Sequence, residues 1–335
     1  MSLQEAALQR SRAYFGETHP HTLRTMGDMA DLYSVAGQMW EARALYEQAL
    51  DGSSVVYGAE HSYTLELMSS LADCYGQLGC MRLAANLHTM AVALGREALG
   101  GDHPVVLSAV TRLARYYSNS GRVVKATELL ERALATYKHD EAPHIRILTS
   151  MSHLASIYSR SGYSSKGLEL HKKVASACNE RLGPENPVTL TMINNLANAY
   201  GQARQSVLAI RLCEGVLKTR LARLGEKHPS TLMSMNTLAN LYHQVGRFET
   251  AKELHEKAAR TGVSVLGDCH PITLMFFNNL AYSNYRMGKK NTALRIQMAV
   301  TEKVKNVLGE NHPLSLAFET ARDLYLATGS KDRSP

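Results

Sequence analysis

Seven asparagines recur at fixed intervals in the second half of the sequence. Asn194, Asn236 and Asn278 stand 42 residues apart, as do Asn198 and Asn240, and Asn195 and Asn279 join them. An amide side chain both donates and accepts, so a ladder of amides can satisfy the backbone of an extended peptide whatever its side chains. Asn is a poor choice for a helix interior because its amide competes for main-chain hydrogen bonds. Seven in helical stretches therefore need a reason: either they meet a ligand, or they bridge neighbouring helices or are merely solvated. Arg112, Arg115, Asn119, His153 and Arg160 occupy related places earlier in the chain, and Gln244 and Tyr282 accompany the asparagines. Asp28, Asp31, Glu66 and Asp73, with Arg24 as an exception, make the first part acidic. A surface acidic at one end and basic in the middle would orient a charged peptide; a solvated surface of mixed sign is the alternative.

Other chemistry is poorly provided for. His19, His61, His103, His228, His270 and His312 recur, but one per 42-residue period places them too far apart to share an ion, whereas zinc ligands converge to about 2.0–2.1 Å. They read as connector residues that hydrogen-bond a helix start. Asp73, Arg115, His153, His243 and Tyr282 include an acid, a base and a cation. No nucleophile motif, paired carboxylates, P-loop or cofactor fingerprint accompanies them. No catalytic residue, metal or cofactor is assigned, and an enzyme built on a repeat frame remains an alternative.

The elements that must position these residues are helices. The 335 residues are 45% hydrophobic and only 7% aromatic, with Ala and Leu dominant, which suits closely packed helices. Five cysteines without CxxC spacing indicate neither a disulfide framework nor a zinc site. The polar residues Gln4, Glu5, Gln9 and Arg10 interrupt any leader-like apolar core, and no stretch is long and apolar enough to span a bilayer. The expectation is a soluble, cytoplasmic protein. The net charge of +7 permits acidic partners. Lys and Arg alternate with Glu along helix faces and form no basic tract, so neither nucleic acid nor membrane is expected as a partner.

Repetition supplies the frame. Pro20, Ser62, Pro104, Pro187, Pro229, Pro271 and Pro313 hold one equivalent position, at intervals of 42, 42, 83, 42, 42 and 42. The long interval hides a further repeat centred on Leu154 and Ala155. A Gly precedes each start, Pro or Ser opens a first helix, and a second Gly turns the chain into a second helix. Ala42, Ala84, Ala126, Gly167, Ala209, Ala251 and Ala293 are the small residues where helices must approach closely. Two departures stand out: Arg204 replaces the turn Gly in the fifth repeat, and Asn284 replaces Tyr in the seventh. A third is the stretch KHDEAPHIRI, residues 138–147, which replaces the regular connector. Bending or loosening is expected at these places.

The pattern Leu-Ala-x-x-Tyr-x-x-x-Gly-x-x-x-x-Ala, as at Leu238, Ala239, Tyr242, Gly246 and Ala251, resembles the tetratricopeptide repeat. The period and the connector type LGEKHPSTL are similar to the kinesin light chain subclass, whose kind of repeat also forms the sensor arrays of fungal and bacterial NTPase receptors. The resemblance implies an all-α, right-handed superhelical solenoid of 42-residue helix-turn-helix repeats, with first helices lining a concave groove. It divides the chain into a partial leading repeat (1–17), seven repeats (18–308), a terminal helix or partial repeat (309–329) and a disordered tail (330–335). The residues it turns toward the groove are Asn194, Asn195, Asn198, Asn236, Asn240, Asn278, Asn279 and Tyr282, together with Arg112, Arg115, Asn119, His153, Arg160 and Gln244. The function it implies is a protein-interaction scaffold binding a peptide or partner segment, with asparagines on the backbone and Arg112, Arg115 and Arg160 on acidic side chains. A small-molecule ligand is a lesser alternative, and a sensor array of an NTPase receptor is another.

Overall fold

The structure is a computed structural model that describes residues 3–135, 145–310 and 312–330; among these, helices are the only regular elements. The chain forms two compact units, residues 1–157 and 158–335. The first holds α1 (Leu3–Phe15), α2 (Pro20–Val35), α3 (Met39–Tyr57), α4 (Ser62–Gln77), α5 (Met81–Leu99), α6 (Pro104–Asn119), α7 (Val123–Ala135) and most of α8 (Ile145–Arg160). The second holds α9 (Ser164–Leu182), α10 (Pro187–Gln202), α11 (Ser206–Leu224), α12 (Pro229–Gln244), α13 (Phe248–Leu266), α14 (Pro271–Arg286), α15 (Lys290–Leu308) and α16 (Pro313–Ser330). Most of the irregular joint at 138–147, and the tail after residue 330, lie outside the described residues.

Local chemistry explains the helix starts. The recurring histidines occupy the N-cap position, and Nδ1 of His19, His61, His103, His228, His270 and His312 accepts the main-chain N–H two residues on, at 3.1–3.3 Å. Asn186 does the same for Val188 at 2.9 Å. Each satisfies one of the four unpaired donors of a helix start, while Pro at the first position of α2, α6, α10, α12 and α14 loses nothing.

Side-chain size then sets the packing. Ala42, Ala84, Ala126, Ala209, Ala251 and Ala293 are fully buried, and consecutive helices pack against each other around them. In the first unit the core joins Leu23, Met26, Tyr46, Leu67 and Leu71. In the second it joins Cys213, Leu232, Met235, Leu238, Tyr242 and Phe276, and α16 covers α15 with Phe318 and Tyr325.

The substitution at Arg204 does not loosen the turn. Arg204 adopts φ 59°, the left-handed conformation that glycines take at equivalent turns such as Gly246 at 80°, and its N–H reaches Gly201 O at 3.0 Å. Among the described residues it is alone in doing so without being glycine. A Cβ there costs about 1–2 kcal/mol, partly offset by the chain entropy that glycine loses on folding. Arg204→Gly should therefore stabilise the protein by about 0.5–1 kcal/mol in chemical denaturation; a loss of stability would refute this account of the turn. Asn284 is buried and donates to Leu280 O of its own helix at 2.9 Å.

Candidate functional site

In the first unit, the first helices of successive pairs form a cleft. Its outer part, about 340 Å³, is lined by Arg24, Asp28, Asp31, Glu66, Arg112 and Arg146 among others. An adjoining part of about 290 Å³ is lined by Asp73, Arg112, Arg115, Arg146, Thr149 and His153. Opposite charges balance in the outer part, and cations exceed anions in the inner one.

Asp73 organises the inner part. It pairs with Arg112, with Arg115 at 2.8 Å, and with Nε2 of buried His88 at 3.4 Å. Burial alone would raise its pKa, but the His88 contact and the fields of Arg115 and Arg112 outweigh it and hold the carboxyl well below the usual range. The two arginines expected to read acidic ligand groups are thus preoriented by an internal carboxylate. They keep 35% and 46% side-chain exposure, so their outer faces remain open to a ligand. Arg146, which sequence reasoning missed, joins them from α8 and lies 3.4 Å from Glu66. It stands in the first turn of α8, inside the irregular stretch 138–147, where no repeat register pointed to it.

In the second unit the asparagines divide into two groups. Asn194, on α10, donates to Thr237 of α12 at 3.3 Å and accepts from the Cys213 thiol at 3.7 Å. Asn279 of α14 donates to Asn236 of α12 at 2.8 Å, and Asn278 accepts from Gln297 of α15 at 3.0 Å. These four amides therefore bridge helices. Asn198, Asn240 and Gln244 are exposed, as is Tyr282; Asn195 is half-buried. Asn240 Oδ1 also accepts from Nε2 of buried His255 at 3.2 Å, and His255 Nδ1 meets Ser283 Oγ at 2.9 Å. Burial pushes the His255 pKa down to about 4, with the nearby His243 adding to the effect. Tyr282 lies over His243 at 4.6 Å between ring centres and accepts from Arg286 at 3.1 Å.

Of the other expected residues, Asn119 is exposed on α6 and Arg160 is exposed at the end of α8; neither lines the cleft of the first unit. The enzyme candidates Asp73, Arg115 and His153 share that cleft, whereas His243 and Tyr282 belong to the second unit. Among the described residues no three His, Cys, Asp or Glu side chains converge on a common point.

Two features, one buried and one half-buried, escaped sequence reasoning although their spacing was readable. Tyr46, His88, His171, Cys213, His255 and Gln297 hold one position in six of the second helices, with Leu130 at that place in α7, and all are buried. Tyr46, His88 and His255 each reach the residue 15 positions earlier: Asp31, Asp73 and Asn240. The tyrosines at the repeat's Tyr position also carry polar contacts, because Tyr33, Tyr75 and Tyr242 donate to Glu5, Glu47 and Glu214, each 28 residues earlier. Burial and Glu214 together push the Tyr242 pKa up to about 12.

Comparison with known proteins places this geometry. A tetratricopeptide-repeat family profile matches residues 2–54, 63–139 and 189–261, and a second tetratricopeptide-repeat profile matches residues 273–314. No curated protein matches the chain significantly. Among solved structures, the chain is similar to a variant of the nearly identical TPR-like repeats ascribed to a kinesin light chain of Podosopora anserina. The identity is 32%, covering 61% of this chain and 97% of that one, with a TM-score of 0.51. It is also similar in fold to the apo quorum sensor NprR of B. thuringiensis, at 14% identity over 89% of this chain and 81% of that one, TM-score 0.63. The signal-transduction ATPase with a tetratricopeptide repeat sensor from Pyrococcus horikoshii matches at 14% identity over 96% of this chain and 46% of that one, TM-score 0.55. Repeat punctuation, helix pairing and profile agree: the chain belongs to the tetratricopeptide repeat family.

Proposed function

We propose that this protein is a protein-interaction scaffold whose first helices bind a peptide or partner segment with acidic side chains. The observation that carries the reading is the inner cleft of the first unit, where Arg112, Arg115, Arg146 and His153 face one another around a single carboxylate, Asp73. Two arginines already oriented by Asp73 give up less side-chain freedom when they meet a ligand carboxylate. In the second unit Asn198, Asn240, Gln244 and Tyr282 supply exposed groups for a peptide backbone. Asn195, Asn119 and Arg160 extend those surfaces. Asn194, Asn236, Asn278 and Asn279 support the reading indirectly, because their bridges hold the first helices in register. The kinesin light chain, quorum-sensor and ATPase-sensor relatives favour a binding role over a catalytic one.

No helix among the described residues is long and apolar enough to cross a membrane. The five cysteines are unpaired, which suits a reducing compartment, and we place the protein in the cytoplasm on that ground.

The test is affinity capture with the chain as bait, followed by mapping of the captured partner into short peptides and direct titration. Arg115→Gln should weaken binding of an acidic peptide by about 1.5–3 kcal/mol and reduce its salt dependence. A partner that binds with unchanged affinity and salt slope would remove the cleft as the site.

A further inference from the structure

In the second unit, three second helices aim a buried donor at the oxygen of an asparagine on the first helix before it. Cys213 of α11 donates to Asn194 Oδ1 at 3.7 Å, His255 of α13 to Asn240 Oδ1 at 3.2 Å, and Gln297 of α15 to Asn278 Oδ1 at 3.0 Å. The three donors hold one position of the repeat, 42 residues apart, and each is at most 1% exposed. An amide oxygen only accepts and an amide nitrogen only donates, so a donor fixed behind the oxygen turns the nitrogen away from the core.

Main-chain carbonyls fix the donors in their turn. Gln297 Nε2 donates to Phe318 O at 3.1 Å, and a carbonyl cannot donate in return. The other N–H of Gln297 is left for Asn278, which must present its oxygen, while Gln297 Oε1 is buried without a partner. For His255, burial and the nearby His243 bring the pKa down to about 4, so the ring carries one proton at neutral pH. The Asn236 main-chain carbonyl, a second acceptor, also engages the ring. With the proton on Nε2, Nδ1 takes a hydrogen bond from the Ser283 hydroxyl at 2.9 Å.

The outward ends of two of these amides are free. Asn240 is exposed and Asn278 half-buried, and neither amide nitrogen has a partner among the described residues. Their neighbours differ. Asn194 gives its nitrogen to Thr237, and Asn279 gives its own to Asn236 and so keeps its oxygen. Cys213 is turned to Asn194 and Ser234, which leaves Asn198 without a donor behind it.

We propose that His255 and Gln297 are positioning residues that fix the hydrogen-bonding sense of this surface: they hold Asn240 and Asn278 with their nitrogens outward, so that both amides read carbonyl oxygens of a ligand and neither reads an N–H. That the carbonyls belong to a peptide rests on the function proposed above; the sense of the amides does not. An amide free to flip serves a donor or an acceptor equally. One locked from behind discriminates, because a ligand N–H placed against it would set two donors face to face.

The sense of the amides is read by NMR on the full chain with no ligand added. His255 should be the Nε2–H tautomer in long-range proton–nitrogen spectra, and the Asn240 side-chain NH2 should exchange rapidly with water and give no NOE to the His255 ring. The Nδ1–H tautomer, with the Asn240 NH2 protons against the ring, would overturn the proposal. Selectivity is read with the peptide mapped from the captured partner, each main-chain carbonyl being replaced in turn by a thioamide, a poorer acceptor. At one position the replacement should weaken binding several-fold in the wild type and have no effect in His255→Phe. His255→Gln, which places there the donor that Gln297 provides one repeat later, should restore the sensitivity; a histidine that merely filled space would leave the three proteins alike. Asn240→Asp keeps an acceptor for His255 but offers no donor outward. It should bind the unmodified peptide about tenfold more weakly with its Tm unchanged, and it keeps the test decisive if His255→Phe does not fold. Equal affinity in Asn240→Asp would overturn the proposal. Failure to capture any peptide, with the tautomer and the exchange as expected, would count against the scaffold reading and leave the positioning standing.

Discussion

Phe276→Ala should destabilise the protein by about 3–5 kcal/mol, among the largest losses open to any single truncation here. Phe276 is fully buried on α14 and belongs to the core that joins α10–α14. Its ring fills the space that Gly262 of α13 leaves open: a Cβ on Gly262 would lie 3.3 Å from Phe276 Cδ2 and 3.2 Å from Thr273 Oγ1. The large residue on one helix and the absent side chain on the next therefore form a fitted pair, and neither neighbour can collapse into the cavity without moving a helix. In a linear repeat array each helix pair is held mainly by its neighbours. The loss should consequently appear first as local opening around α13 and α14, in hydrogen exchange, before global unfolding in denaturant. A loss below about 1 kcal/mol, or protection lost uniformly along the chain, would show that the array does not transmit stability through this contact.

Much of this frame could be read from residue types alone. Gly at the turns, Pro at helix starts and Ala at close contacts each have a local physical reason that survives without tertiary context. The histidine caps are the clearest example: spacing excluded a metal site and pointed to the helix start, where each Nδ1 accepts a main-chain N–H. Arg204 shows that even a departure from the pattern can keep its geometry, because the conformation is imposed by the flanking helices and the side chain accepts the strain.

Side-chain partnerships were harder to read. Periodicity places an amide on a helix face, but it does not say whether the amide turns outward or sideways. Asn194 and Asn198 lie one turn apart on α10, yet the first reaches Thr237 and the second is exposed. Which occurs depends on whether a small polar partner stands across the interhelical gap, a fact of neighbouring repeats. The charged residues followed the same logic. Asp73 and Arg115 are one period apart and of opposite sign, so their pairing was present in the sequence as a relation between repeats. Read repeat by repeat, they looked like an acidic end and a basic middle. The pairing makes them one unit with a net positive charge, in which the outer faces of both arginines stay open.

Asp73→Asn should therefore separate stability from binding. Removing the charge leaves Arg112, Arg115 and buried His88 facing a neutral amide. Loss of a partly buried charge-assisted network of this kind costs about 2 kcal/mol, less than for a fully buried pair because Asp73 keeps 20% side-chain exposure. The pH dependence has a definite sign. The folded-state pKa of Asp73 is depressed, so its stabilisation is fully present above the unfolded value of about 3.9 and fades as pH falls from there through the folded value. The stability gap between wild type and Asp73→Asn should thus be flat above about pH 5 and narrow below about pH 4. A gap that widened on acidification would contradict the pairing. Binding should move the other way, since the substitution releases both arginines from their internal partner and raises the local positive charge by one. An acidic peptide that reads Arg112 and Arg115 should bind several-fold more tightly to Asp73→Asn, with a steeper salt dependence. If the variant instead binds more weakly at pH 7 while remaining folded, Asp73 orients the arginines in a way the ligand cannot replace, and preorganisation outweighs net charge as the basis of recognition in this cleft.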